Sequence, residues 1–225
     1  MNWVSGFYRS AVGKKVVMGL TGLLLFAWLL VHMAGNLKVF LGAEHFNEYA
    51  HWIRAMGAPA VPPGGVLWVN RLVLLLAVGL HILSAVQLTR MNRAARPEPY
   101  LKLRSVQAGF AQRTMIYTGI LVALYIVYHL LHLTVGVAHH DFDPADPYGN
   151  LVAGFQIWPV AAVYIAANLL LGFHLYHGLW SMFQSLGWNH ERYNAWRRVF
   201  AVVFCLVLTA GFLSVPIAVL TGLVS

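Results

Sequence analysis

Five stretches of the chain stay apolar for roughly twenty residues or more: about 15–38, 66–90, 113–138, 156–186 and 198–222. At about 1.5 Å rise per residue, each is long enough as a helix to cross a hydrocarbon layer of about 30 Å. Unpaired backbone groups are not tolerated in lipid, so all five are expected to be helices. Water cannot be the solvent here, because stretches such as residues 16–37 lack the polar positions that an outward face of a soluble helix needs. The expected fold is an all-α integral membrane protein: one domain over residues 1–225, with five transmembrane helices.

Composition agrees. Of the 225 residues, 60% are hydrophobic and only 10% charged, and the charges cluster between the apolar runs. The net charge of +8 raises the question of nucleic acid. The basic residues sit at the ends of apolar segments and form no stripe among exposed aromatics, so no nucleic-acid partner is expected. Breaks between spans are marked by Pro59, Pro62, Pro63, Gly64 and Gly65, by Pro97 and Pro99, and by Pro144 and Pro147. The first apolar run follows Arg9, Lys14 and Lys15, is too long for a secretory signal and ends without a small-residue cleavage site; it reads as a retained span.

Charge sets the expected orientation. The N-terminal tail, the second-to-third loop and the fourth-to-fifth loop carry Arg9, Lys14, Lys15, Arg90, Arg93, Arg96, Lys102, Arg104, Arg113, Arg192, Arg197 and Arg198. The other side has Lys38, Arg54 and Arg71, and is acidified by Asp141, Asp143 and Asp146. By the positive-inside rule the N-terminus is cytoplasmic. The connection from Val39 to Gly65 holds Phe46, Tyr49, His51, Trp52 and Ile53 among polar residues, and reads either as a short interfacial helix or as a packed surface loop.

The chemistry-bearing residues are histidines. Of eleven in the chain, six lie within the spans: His32, His81, His129, His132, His174 and His177. Ionisable groups in lipid are costly and mark cavities, cofactors or pathways, although a single one serves equally well as a hydrogen-bonding strut between helices. Counting from the basic ends puts His32 and His129 roughly 25 Å from the cytoplasmic side, in the outer half, and His81 and His174 in the inner half. Two imidazoles at each of two depths suit bis-histidine haem, whose iron takes one nitrogen on each face of the porphyrin. Zinc and copper sites gather three or four ligands at one level, with cysteine, methionine or carboxylate among them. Cys205 is the only cysteine, so a haem here would lack thioether links. His132 and His177 each lie one turn from a candidate ligand on the same face, and spacing leaves both alternatives open. Small residues such as Gly19, Gly22, Gly79, Gly119, Gly172 and Gly178 would let a macrocycle or another helix approach.

The chain resembles the cytochrome b subunit of the succinate dehydrogenase and fumarate reductase family, in the form with a single five-helix anchor and two haems. The resemblance spans nearly the whole chain. Its most specific stretch is Gly172-Phe173-His174-Leu175-Tyr176-His177-Gly178-Leu179-Trp180-Ser181, similar to the family's His-x-x-x-Gly-Leu segment in the fourth span. That match implies His174 as a ligand. The family's ligand ten residues after a glycine in the third span implies His129 after Gly119, and His32 and His81 complete the set. The resemblance implies two haem b groups, His32 with His129 on the outer one and His81 with His174 on the inner.

It also implies partners: a flavoprotein with FAD and an iron–sulfur subunit on the cytoplasmic face of a bacterial inner membrane. Those subunits carry the dicarboxylate chemistry of succinate dehydrogenase, for which this chain has neither a Rossmann fingerprint nor a cysteine cluster. This chain would pass electrons between the iron–sulfur subunit and a quinone, menaquinone or ubiquinone, in either direction. His132 and His177 depart from the family pattern and are candidates for propionate, quinone or proton contacts, or for structural hydrogen bonds. Lys14, Lys15, Arg93 and Arg113 are candidate propionate partners as well as topology determinants. Glu44 and Glu48 lie loosely where the family can carry an acidic residue near quinone; neither is assigned. The competing expectations are a dihaem subunit of a hydrogenase, a formate dehydrogenase or an ascorbate-linked cytochrome, and a transporter or proton channel with histidine relays.

Overall fold

A computed structural model describes residues 3–95 and 110–225. Arg96, Pro97, Pro99, Lys102 and Arg104 lie outside the described residues, as does the side chain of Arg113. The described residues are 83% helical and include no strand. Its elements are α1 (Trp3–Arg9), α2 (Ala11–Asn36, continued by a 3-10 turn over Leu37–Leu41), α3 (Ala43–Ala55), α4 (Gly65–Ala94), α5 (Phe110–Leu130, continued by a π turn over Leu131–Val135), α6 (Pro147–Gln156), α7 (Trp158–Ser185) and α8 (Glu191–Leu220). Five of these, α2, α4, α5, α7 and α8, are long and apolar enough to cross a membrane, so the chain is a multi-pass helical membrane protein. Their outward faces carry residues such as Leu75, Leu124 and Leu206, exposed on the chain and suited to lipid.

The five expected spans are all present, with shifted ends. The first opens at Ala11, where Ser10 caps the helix by accepting the Gly13 N–H at 3.0 Å. The last opens at Glu191, earlier than the apolar run, because His190 caps it by accepting the Arg192 N–H. Arg192, Arg197 and Arg198 are therefore helical rather than loop residues. The Val39–Gly65 connection resolves to a helix: α3 half-buries Phe46, Asn47, Tyr49, Ala50 and Ile53 on one face and leaves Trp52 exposed. Helix α6 was not anticipated. Pro147, read above as a break, instead occupies the first helical position behind the Asp146 cap, where a proline's missing N–H costs nothing.

The bundle has a basic end and a capped end. At the basic end the Tyr8 hydroxyl donates to Gln87 Oε1, tying α1 to the end of α4. At the other end α3 and α6 cover the spans: Asn47 Nδ2 donates to Asp146 Oδ1 at 2.8 Å, and the Tyr148 N–H donates to Asn47 Oδ1 at 3.0 Å. One buried cluster underlies this cap, including Val39, Leu151, Phe155, Tyr164 and Val219; a second, around Phe26, Leu179, Cys205, Leu208 and Phe212, joins α2, α7 and α8.

Candidate functional site

Helix α2 packs along α4, α5 along α7, and α7 along α8, with lighter contacts from α2 to α7 and α8. Neither α2 with α5 nor α4 with α7 is among the closely packed pairs. Histidines bridge both of those gaps. His32 on α2 meets His129 on α5 with ring centroids 5.8 Å apart, and His81 on α4 meets His174 on α7 at 6.4 Å. The ring planes are steeply inclined in both pairs, at 80° and 67°. These are the two pairings expected from depth, His32 with His129 as the expected outer pair and His81 with His174 as the expected inner pair.

The separations can be tested against haem. Imidazole nitrogens about 2 Å from a shared metal, on opposite sides of it, leave ring centroids roughly 6 Å apart. Both pairs meet that requirement. Among the described residues no three histidine, cysteine or carboxylate side chains converge as one metal site.

Hydrogen bonding orients three of the four rings, each through Nδ1. His81 Nδ1 lies 3.2 Å from the Met18 carbonyl oxygen and 3.3 Å from Thr21 Oγ1, both on α2. His174 Nδ1 lies 3.4 Å from Thr118 Oγ1 on α5, a hydroxyl that itself donates to the Met115 carbonyl at 3.0 Å. His129 Nδ1 lies 3.4 Å from the Tyr164 hydroxyl on α7. A ring whose Nδ1–H is held by an oxygen presents a bare Nε2, the usual arrangement of a metal-binding histidine. His32 is held differently, stacked 4.6 Å from Trp28.

Two glycines make room for the inner rings. A Cβ on Gly22 would lie 3.3 Å from His81 Cε1, and one on Gly119 would lie 3.4 Å from His174 Cε1. Gly119 thus packs against the inner pair although its spacing had linked it to His129. Gly19 faces Met182, Gly178 lies near Met115, Gly172 approaches Thr209 on α8, and Gly79 meets nothing; these serve helix packing or none.

The second candidates separate from the first. His132 is 1% exposed and lies in the π turn, with its Nδ1 3.0 Å from the Tyr164 hydroxyl and its ring stacked on Tyr128 and His139. His177 is half-buried and enters no hydrogen bond among the described residues; its ring lies edge-on to the neighbouring Tyr176. Lys14 is buried, with Nζ donating to the Tyr8 and Arg9 carbonyls that end α1. Its ammonium is engaged locally. Arg197 is also buried, its guanidinium 4.6 Å from the Trp180 ring and, among the described residues, without a hydrogen-bond partner.

Outside the spans, the Asp146 carboxyl is held below the usual carboxylate range, chiefly by the Gly149 N–H and then by the Asn47 amide. Sequence reasoning passed over Tyr164, Met18, Thr21, Thr118 and Trp28, the residues that hold the rings. The signal for Tyr164 and Thr118 was a hydroxyl within an apolar span; Met18 acts through its backbone and leaves no signal.

The fold and site define a five-span helical membrane protein with two interhelical histidine pairs stacked at two depths. Compared with protein-family models, curated proteins and solved structures, the chain matches none.

Proposed function

We propose that the chain is a two-haem cytochrome b anchor of the succinate dehydrogenase and fumarate reductase type, linking an iron–sulfur subunit to membrane quinone. The observation that carries the reading is the pair of ring separations, 5.8 Å and 6.4 Å, across helix pairs that otherwise stand apart. His32 and His129 would hold the outer haem, and His81 and His174 the inner. Bound haem b supplies reversible one-electron iron chemistry between the two membrane faces.

The protein's part is to bind, orient and tune. The Met18 carbonyl and the hydroxyls of Thr21 and Thr118 fix the inner rings, and Tyr164 and Trp28 the outer ones. Accepting an Nδ1–H raises the basicity of the same ring at Nε2, which strengthens its bond to oxidised iron. Flavoprotein and iron–sulfur partners would dock on the basic, cytoplasmic end, in a bacterial inner membrane.

The test is the haem content of the purified complex. A reduced-minus-oxidised spectrum with b-type bands, two haems per chain, co-purifying flavin and succinate-dependent reduction is expected. Substituting His32 or His129 should remove one haem, and substituting His81 or His174 the other. A chain without b-type bands would sink the reading and favour a histidine relay for ions. Haem without flavin would point to a different oxidoreductase partner.

A further inference from the structure

We propose that Tyr164 and His132 are positioning residues for the outer histidine pair, forming a directed chain of hydrogen bonds that fixes the His129 ring and lowers the outer reduction potential. This rests on the haem reading above. The chain's direction follows from donor chemistry. With Nε2 of His129 given to metal, its only proton is on Nδ1, which must donate to the Tyr164 oxygen 3.4 Å away. The Tyr164 hydroxyl then has one proton and, among the described residues, one acceptor in reach: Nδ1 of His132, at 3.0 Å. His132 is thereby the tautomer protonated at Nε2.

The surroundings hold that arrangement in place. Tyr128 stacks on His132 with centroids 5.5 Å apart and planes 8° apart, and His139 stacks at 4.8 Å. His139 is itself anchored, its Nε2–H donating to the Asn150 carbonyl at 2.8 Å. The π turn over Leu131–Val135 contributes by widening the helix after His129. His129 can face α2 while His132 turns toward α6 and α7, where Gly154 leaves space for its ring.

Among the described residues the inner pair has no counterpart. Its Nδ1 atoms meet a backbone carbonyl and threonine hydroxyls, none of which leads on to a second imidazole. At the outer pair, a hydroxyl that donates to His132 becomes a better acceptor from His129, because hydrogen bonds in series polarise one another. The more basic ring stabilises oxidised over reduced iron, so the potential falls.

The experiment is a redox titration of the purified complex, followed in the b-type bands and by the low-temperature resonance of the oxidised haems. The outer step is identified as the one lost in His32→Ala. Tyr164→Phe should shift the outer step to higher potential, alter its resonance and leave the inner step in place. His132→Phe keeps the stacked ring and the Tyr164 hydroxyl but removes the acceptor, and should move the outer step the same way by less. It carries the test if Tyr164→Phe does not assemble. Outer steps unchanged in the variants that assemble, or a shift confined to the inner step, would overturn the inference while leaving the haem reading intact. A complex devoid of haem would overturn both.

Discussion

The imidazole of His81 is tied across the α2–α4 interface to the backbone of Met18, with Nδ1 3.2 Å from the carbonyl oxygen. A backbone acceptor cannot be removed by substitution at position 18, so the ring's orientation depends on how closely the two helices approach. Gly22, one turn further along α2, sets that approach, since a Cβ there would lie 3.3 Å from His81 Cε1. Gly22→Leu should therefore displace His81, at an overpacking cost of about 1–3 kcal/mol. If the pairs hold haem as proposed, haem quantification should show loss at His81 and His174 with His32 and His129 retaining theirs; equal retention of both would contradict the assigned contact.

His177 makes no hydrogen bond among the described residues, whereas His174 one turn earlier does. On the proposed two-haem reading, His177→Phe should leave both haems and both redox steps. Loss of the inner haem in this variant, with survival in His174→Phe, would reverse the assignment.

Arg197 is buried with no hydrogen-bond partner among the described residues, and the faces of Trp180 and Phe183 meet its charge, at 4.6 Å and 6.0 Å. Burying an unpaired charge is costly, and an apolar side chain of similar length avoids that cost. Arg197→Met should be neutral or stabilising in thermal unfolding of the purified chain. Marked destabilisation would mean that another group pairs with the guanidinium in the assembled protein.

At the capped end, Asp146 accepts from the Gly149 N–H at 2.9 Å and from the Asn47 amide at 2.8 Å. Its folded carboxyl is held low, so its contribution is fully present above the ordinary carboxylate range and is lost as pH falls through the folded value. Asp146→Ala should cost about 0.5–2 kcal/mol as a lost helix cap. Protease sensitivity of the α3 and α6 segments should rise in the variant at neutral pH, and the difference from the parent should shrink on acidification. A difference that persists at low pH would mean that the effect is not the carboxylate's.

Much of this protein is legible in one dimension. The five membrane helices follow from apolar length alone, because lipid leaves a backbone no other way to satisfy its polar groups. The two depths of the histidines follow from counting residues along helices of fixed rise, which is why His32 could be matched with His129, and His81 with His174, before any tertiary contact was known. Helix rise says nothing about rotation, and there the sequence ran out. His129 and His132 share a face on an ideal α-helix; in the structure both reach the Tyr164 hydroxyl, but only His129 meets His32, whereas His132, in the π turn, stacks on His139. The oxygens that orient the rings come from neighbouring helices, fifty-six residues away for Thr118 and His174 and sixty-three for Met18 and His81. Composition and spacing thus gave the number of helices long and apolar enough to cross a membrane, and matched the histidines that meet in pairs. Which nitrogen each ring presents, and to what, was decided only by packing, because that choice depends on the rotation of one helix against another.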